Sequence, residues 1–442
     1  MSAPGWWPPP FTFSNKFASA LGGFLSSTVL EIVGFVPNTD QTPLVLTTIV
    51  LCMSVPAIIS DIASYVGMSL YPIREHLEET EALLMERKFE WRDSNGQEYL
   101  YAQGQSRYDL GYAIGQGLHR QISAARKMYQ AAMPGSLDPS IRELISRNAA
   151  AYQREIPPED MEEIRGMLAG YIAASGEGMG LDELALQSFG IDLMNQAEAR
   201  GLADSINGCT NFACVNADGT TAHGQNYDSE PKLAVAGAFV HQRVAGEPEA
   251  FLYRPGGSLG MAVGKNEAGV CMTVSIVKTR CPAPIMTPRS VLVRRALRQE
   301  RSIQSLRAMV DSQGRSPFSY NLVVSDAATV SGAQAIPAEQ RICQVKRALV
   351  QSNQFDYVDW IPHLRKPSYS KKRQLYSERL LDTLLSRYGS VSNQDLLQIL
   401  ADEPVICRKK IQDGLGTTVL FFTRESFGRG NPSDQPAGRI PF

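Results

Sequence analysis

The sequence predicts an α+β protein in which a helix-rich first half is followed by a strand-rich second half. From about Arg74 to Gly201, apolar residues recur at helical spacing between recognisable helix starts. From Cys209 onward the text breaks into short alternating runs punctuated by Gly, Asn and Asp. Two helical stretches, Ser290 to Val310 and Ser370 to Leu400, interrupt those runs, so sheets must pack against helices rather than form an all-β sandwich.

The head of the chain differs from both halves. Between Met1 and Ile73 the charged residues are Lys16, Glu31, Asp40 and Asp61, although the 442-residue chain carries 43 Lys plus Arg and 45 Asp plus Glu. Gln41 to Ser60 is an uncharged run close to the ~20 residues that span a bilayer, and Phe17 to Leu30 is a shorter one. No cationic segment precedes an early apolar core, so a cleaved signal peptide fits poorly. Trp6, Trp7 and Pro8 to Pro10 suit a membrane interface. Two readings compete: membrane association through residues 17–66, or a pair of buried helices, for which Pro56, Thr47 and Thr48 count. The texture divides the chain into a head at 1–73, a helical segment at 74–208 and a strand-rich domain at 209–442.

In the helical segment, Asp138 and Pro139 before IRELI read as an N-cap with proline at the first helical position. Pro157 and Pro158 before EDMEEI open another helix. Tyr108, Leu110, Ile114 and Leu118 keep helical spacing in RYDLGYAIGQGLHRQI. There Gly111, Gly115 and Gly117 predict close helix packing, since a phosphate-binding turn requires a preceding strand and the order G-x-G-x-x-G. The strands read as CTNFACVN, TTAHGQNYD, AGAFVHQRV, AVGKNEAGVCMTVSIV, NLVVSD, KRALVQSNQF and TTVLFFT, an antiparallel system.

The Asp218-Gly219 dipeptide between two alternating runs predicts a two-residue type I′ hairpin. With Ala217 facing Thr220, Cys209 falls across from Asp228, Asn211 from Asn226 and Cys214 from His223. Opposed Cβ atoms lie ~4.5–5.5 Å apart, which puts the Cys209 thiol and the Asp228 carboxylate on one face. Cys214 and His223 on the other face suggest a conventional thiol nucleophile with its base, although such a pair in a sheet is more often packing. Cys209 follows Gly208 and a loop, Ser205-Ile206-Asn207, and this has the form of a self-cleaving junction. The thiol attacks the unhindered Gly208 carbonyl, the acyl group shifts to sulfur, and hydrolysis leaves Cys209 as a new chain start. Its α-amino group, with a reference pKa of ~7.7–8.0, then serves as base for its own thiol, held by Asp228.

Composition excludes other classes. A net charge of -2 lacks the basic footprint of a nucleic-acid partner. No two of the seven cysteines form C-x-x-C, and the histidines at 76, 119, 223, 241 and 363 show no metal-ligand spacing, so no metal or other cofactor is expected. Gly256-Gly257-Ser258-Leu259-Gly260 matches G-x-S-x-G, but that elbow must lead from a strand into a helix. Here it leads into a second apparent hairpin with Asn266 and Gly269 in its turn.

Gly208-Cys209-Thr210 with Gly224-Gln225-Asn226-Tyr227-Asp228 resembles the penicillin acyltransferase family of N-terminal-nucleophile hydrolases, related to choloylglycine hydrolase and acid ceramidase. The stretch from Gly104 to Leu118 resembles the family's helix before the cleavage point, and Gly264 to Gly269 its hairpin. Ser352-Asn353-Gln354-Phe355 resembles its T-N-H-F segment; Thr417-Thr418-Val419 and Gly430-Asn431-Pro432 resemble its closing strands. The resemblance runs from about residue 100 to the end. It implies a four-layer αββα sandwich and an autocatalytically cleaved zymogen whose helical segment is retained as the smaller fragment. It also implies hydrolysis or acyl transfer at a linear amide of a small molecule. Residue by residue, it makes Cys209 the thiol nucleophile, Asp228 the holder of its α-amino group, and Asn353 an oxyanion donor. It asks for an arginine in the following helix, best met by Arg373 and next by Arg379. Gln225 in place of Arg points away from the choloylglycine branch. Ser352 and Gln354 replace Thr and His, and Ser229-Glu230-Pro231 follows Asp228 where the family has an aromatic residue. A reading from another class is a membrane-tethered binding protein on an inactive scaffold.

Overall fold

The computed structural model describes residues 28–35, 37, 40, 42–50, 88–132, 139–202, 208–229, 236–260, 263–299, 302–304, 316, 318–343, 347–365, 370–402, 416–422, 426–430 and 438–439. The chain forms two compact units, Met1–Arg87 and Lys88–Phe442. In the first, residues 28–32 and 43–50 are helical. The Thr47 and Thr48 hydroxyls donate to the carbonyls of Pro43 and Leu44 at 2.8 and 2.9 Å, which satisfies their polarity within the helix. Among the described residues no helix is long and apolar enough to cross a membrane. Most of the Gln41–Ser60 run, together with Phe17–Ser27, Trp6, Trp7, Asp138 and Ser205–Asn207, lies outside the described residues.

The second unit opens with two strands where helix was expected, β1 (Phe89–Ser94) and β2 (Gln97–Gly104). The reason is Asn95-Gly96. Both residues take positive φ, 55° and 81°, and Ser94 faces Gln97, the two-residue turn that only such a pair accepts readily. Five helices follow: α1 (Arg107–Gly117), α2 (His119–Ala132), α3 (Pro139–Arg154), α4 (Pro158–Ser175) and α5 (Leu181–Ala199). The capping box of Ser106 with Asp109 starts α1, and Pro158 occupies the first position of α4.

A strand does precede the glycines of α1, yet they pack as expected. A Cβ on Gly111 or Gly115 would stand 2.1 Å from the carbonyl oxygen of Glu163 or Met167. One on Gly166 or Gly170 of α4 would stand 2.0 or 2.1 Å from that of Tyr108 or Tyr112. Two small-xxx-small stripes therefore bring the α1 and α4 backbones into contact. Gly117 leaves room for the Leu100 side chain below.

The remaining elements are β3 (Gly208–Val215), β4 (Thr221–Ser229), β5 (Gly237–Val244), β6 (Ala250–Pro255), β7 (Val263–Asn266), β8 (Cys271–Ile276) and α6 (Arg289–Gln299), then β9 (Tyr320–Ser325), β10 (Val330–Ile336), β11 (Glu339–Cys343), β12 (Ala348–Ser352), a 3-10 turn (Val358–His363), α7 (Ser370–Tyr388), α8 (Asn393–Ala401), β13 (Gly416–Phe422), β14 (Ser426–Gly430) and β15 (Gly438–Arg439). They form a nine-stranded sheet, β1-β2-β5-β6-β7-β8-β9-β10-β11, and a six-stranded sheet, β12-β3-β4-β13-β14-β15. β2 joins β5 in parallel; every other pairing is antiparallel.

Alternation of side chains gives each sheet two buried faces. On the outer face of the large sheet, Leu100, Ala102, Val240 and Val244 pack with Ile114, Ile164, Met167 and Phe189 of the helices, while Leu252, Met272 and Val274 pack with Val293 and Leu297 of α6. On the outer face of the small sheet, Phe212, Cys214, Ala222 and Val350 pack with Leu381 and Leu385 of α7 and Leu396 and Leu400 of α8. Between the sheets, Ala213 meets Val323 and Val330. The order is helix, sheet, sheet, helix. The Gly256–Gly260 segment turns between β6 and β7 with no helix, so no nucleophile elbow forms there.

Glu163, fully buried on α4, ties the outer helices to the large sheet. It accepts from Arg107 of α1 at 3.2 Å and Arg254 of β6 at 3.0 Å, and from both terminal nitrogens of Arg294 of α6. Burial alone would raise this carboxyl, but Arg294, Arg254 and Arg107 around it hold it well below the ordinary carboxylate range.

Gly166→Ala inserts a methyl group into backbone of the facing helix and should lower stability by about 1–3 kcal/mol. Urea unfolding should show this, whereas Gly178→Ala, with open space at its Cβ, should leave the midpoint nearly unchanged.

Candidate active site

The β3–β4 hairpin is one residue out of the register that a two-residue turn would give. Gly219 alone in the turn takes positive φ, 80°; Asn216 N–H donates to Thr220 O at 2.8 Å and Gly219 N–H to Asn216 O at 3.0 Å. This is a type I turn closed by a glycine bulge. Asp218 stabilises it by accepting from the Thr220 amide at 2.9 Å and hydroxyl at 2.7 Å. Gly208 therefore faces Asp228, Cys209 faces Tyr227, Asn211 faces Gln225, and Ala213, not Cys214, faces His223.

One residue of shift moves side chains to opposite faces. Cys209, Asn211 and Ala213 point between the sheets, where Asn211 Nδ2 donates to Ser275 Oγ at 2.6 Å. Asp228 and Asn226 point to the helices, where Asn226 Nδ2 donates to Leu400 O at 2.8 Å. The expected thiol–carboxylate pair on one face is thus replaced by a thiol and a carboxylate that flank the strand from opposite sides. They meet through the Gly208-Cys209 backbone: a Cβ on Gly208 would stand 2.5 Å from Asp228 Oδ2 and 3.2 Å from Arg373 Nη1.

The conventional Cys214–His223 pair does not form. Cys214 lies among the leucines on the helix side, its thiol pushed up to about 12 by burial. His223 lies between the sheets, Nδ1 2.8 Å from Ser325 Oγ and Nε2 2.9 Å from Thr273 Oγ1, and burial pushes it down to about 3.

Asn353, just past β12, occupies the centre of the site. Its Oδ1 accepts from the Cys209 amide at 2.6 Å and from Arg373 Nη2 at 2.7 Å; its Nδ2 donates to Ile276 O at 2.8 Å. Guanidinium can only donate and a carbonyl can only accept, which orients this amide uniquely. Arg373 Nη1 reaches Thr210 Oγ1 at 3.2 Å and Asp228 Oδ2 at 3.5 Å. Arg373 is buried, while Arg379 is exposed on the same helix. Burial and the negative charge of Asp228 push the Cys209 thiol up to about 11, opposed by Arg373 and by hydrogen bonds from Asn353 and Gln225. Gln225 also donates to Val274 O at 3.0 Å, and Tyr227 packs against the aromatic cluster of Tyr99, Phe239, Phe251 and Tyr253 between the sheets.

Two side chains at the site carried no usable sequence signal. Gln374, beside Arg373, accepts from Ser352 Oγ at 3.3 Å and Gln354 Nε2 at 3.2 Å, so both departures from T-N-H-F hold the segment to α7. Asn321, inside the ordinary-looking strand NLVVSD, donates to the carbonyls of Ser352 and Gln354. Among the described residues no three His, Cys, Asp or Glu side chains are grouped to hold a metal ion.

The described residues form two sheets flanked by helices, with Cys209 near the start of a central strand. Residues 215–421 match the family model described as Acyl-coenzyme A:6-aminopenicillanic acid acyl-transferase. The matched span contains Asp228, Asn353 and Arg373 and begins after Cys209. Among solved structures, the chain is similar to a Caenorhabditis elegans N-acylethanolamine-hydrolyzing acid amidase ortholog at 15% identity and TM-score 0.38, covering 48% of this chain and 92% of that one. It is also similar to a mutant of conjugated bile acid hydrolase from Clostridium perfringens at 10% identity and TM-score 0.40, covering 52% and 92%. No curated protein matches the chain.

His223 makes the site's surroundings pH-sensitive in a defined direction. Its folded-state pKa is below the unfolded value, so the unfolded chain binds the extra proton, and stability falls as pH drops from about 6.5 toward 3. His223→Gln should flatten this slope by up to about 1.4 kcal/mol per pH unit in urea titrations between pH 4 and 6.5.

Proposed function

We propose that the chain is a self-cleaving amidohydrolase or acyltransferase acting on linear amide bonds through a Cys209 thioester. The observation that carries the reading is the convergence of Asp228 and Arg373 on Gly208 with Asn353 on the Cys209 amide. A glycine is needed there because Asp228 and Arg373 fill the space of a side chain.

In maturation, Cys209 Sγ attacks the Gly208 carbonyl carbon. The C–N bond to Cys209 breaks, the proton passes to that nitrogen, and water hydrolyses the thioester. The new α-amino group lies beside Asp228 and Asn353 Oδ1, which hold it as the base for its own thiol. Burial raises the Cys209 thiol, and cleavage adds the α-amino group as the base that serves turnover. In turnover, the Cys209 thiolate attacks the substrate carbonyl and the amine leaves with a proton. Water or an acceptor amine then resolves the thioester. Asn353 Nδ2 uses one hydrogen on Ile276 O and retains a second for the oxyanion. β1 and β2 precede the cleavage point and remain paired in the large sheet, which supports a two-fragment enzyme that stays assembled. For the head we propose membrane association through residues 17–66, supported by its apolar composition; full-length protein should sediment with phospholipid vesicles and protein lacking residues 1–73 should not.

Intact mass and N-terminal sequencing should find fragments 1–208 and 209–442. Cys209→Ala should abolish both cleavage and turnover, and Cys214→Ala neither; cleavage of the Cys209→Ala protein would implicate an external protease. Asn353→Ala should lower kcat by about 10²–10³ with a smaller change in KM. Asp228→Asn should fold and lose most turnover, read by the same kinetics.

A further inference from the structure

We infer that Asn321 is a positioning residue, the part of the large sheet that sets Asn353 against the Gly208-Cys209 peptide. The inference rests on the function proposed above. Asn321 is fully buried on β9, opposite Ser275 of β8 on one side and Gln334 of β10 on the other. Its single amide nitrogen donates to Ser352 O and to Gln354 O, both at 2.5 Å. Those carbonyls belong to the residues on either side of Asn353, so both hydrogens of one planar group fix the backbone that carries the site's central amide.

The neighbouring strand supplies the second point. Ile276, next to Ser275, accepts from Asn353 Nδ2 at 2.8 Å. Asn321 and Ile276 thereby hold the backbone and the side chain of Asn353 from the large sheet, while Asn353 Oδ1 reads the Cys209 amide on the small sheet. Gln374 grips Ser352 and Gln354 by their side chains from the helix side, where it leaves the carbonyls untouched. The task at those carbonyls requires two donors on one short side chain. An isosteric Asp, ionised, has none and sets an acceptor oxygen against both carbonyls.

Asn321→Asp tests this, with Asn321→Ser as a shorter variant that keeps one donor. The readouts are the rate of fragment formation and the hydrolysis of a fluorogenic linear acyl amide of aminomethylcoumarin, together with thermal unfolding. A misplacement of about 1 Å costs on the order of 10² in rate. At neutral pH, Asn321→Asp should therefore lose about 10² in kcat with KM changed little, and should regain activity as falling pH makes the carboxyl a donor, a gain the unmodified protein does not show. Asn321→Ser should lie between the two. Wild-type kcat in both variants, or a loss in Asn321→Asp that no pH restores, overturns the role of Asn321. If Asn321→Asp does not fold, Asn321→Ser decides by the same split of kcat from KM. Unmodified protein that neither cleaves nor hydrolyses the probe overturns the proposed function instead, and this inference with it.

Discussion

The bulged turn at Asp218-Gly219 is the constraint on which the site depends. Side chains alternate along a strand, so a single extra residue in the turn decides which face each later residue occupies. With Gly219 as the bulge, Cys209 looks between the sheets and Asp228 looks to the helices. The thiol is then separated from the carboxylate by the thickness of a strand. The peptide between Gly208 and Cys209 is reached from both sides, by Arg373 and Asp228 from the helix layer and by Asn353 from the end of β12.

That separation has an electrostatic consequence. Asp228 and Arg373 form a buried pair 3.5 Å apart, and a buried charge that loses its partner is strongly unfavourable. The pair is therefore held as a unit, and Asn353 Oδ1 is locked to the same guanidinium at 2.7 Å. The thiol on the far face is pushed above its ordinary range by burial and by the carboxylate.

Helices α1 and α4 contribute stability and continuity rather than chemistry. Glycines 111, 115, 166 and 170 let α1 and α4 touch through their backbones, and Glu163 at that contact gathers arginines from α1, β6 and α6. Because β2 pairs with β5, residues before the Gly208-Cys209 peptide are structural members of the large sheet. The layers on both sides of that peptide are therefore joined by sheet hydrogen bonds, a buried ion cluster and a shared apolar core.

Much of this was legible one residue at a time. The helix starts at Pro139 and Pro158, the glycine stripe of α1, and the strands around Cys209, Gln225 and Val274 follow from local pattern, because capping, close packing and alternation are short-range effects. The segment 89–104 was also legible in principle: Asn95-Gly96 is a stronger two-residue turn signal than Asp218-Gly219, since asparagine tolerates positive φ. What sequence alone determined was most of the helices and the strands around Cys209, while Gly208, Cys209, Asp228, Asn353 and Arg373 were grouped by resemblance to a family. Tertiary structure decided their faces and their partners. Asp218-Gly219 is compatible with either a two-residue turn or a bulged one, and the fold takes the bulged one. Asn321 and Gln374 acquire their roles only through contacts spanning 20 to 33 residues of chain, and no local pattern encodes which carbonyl a buried amide will meet.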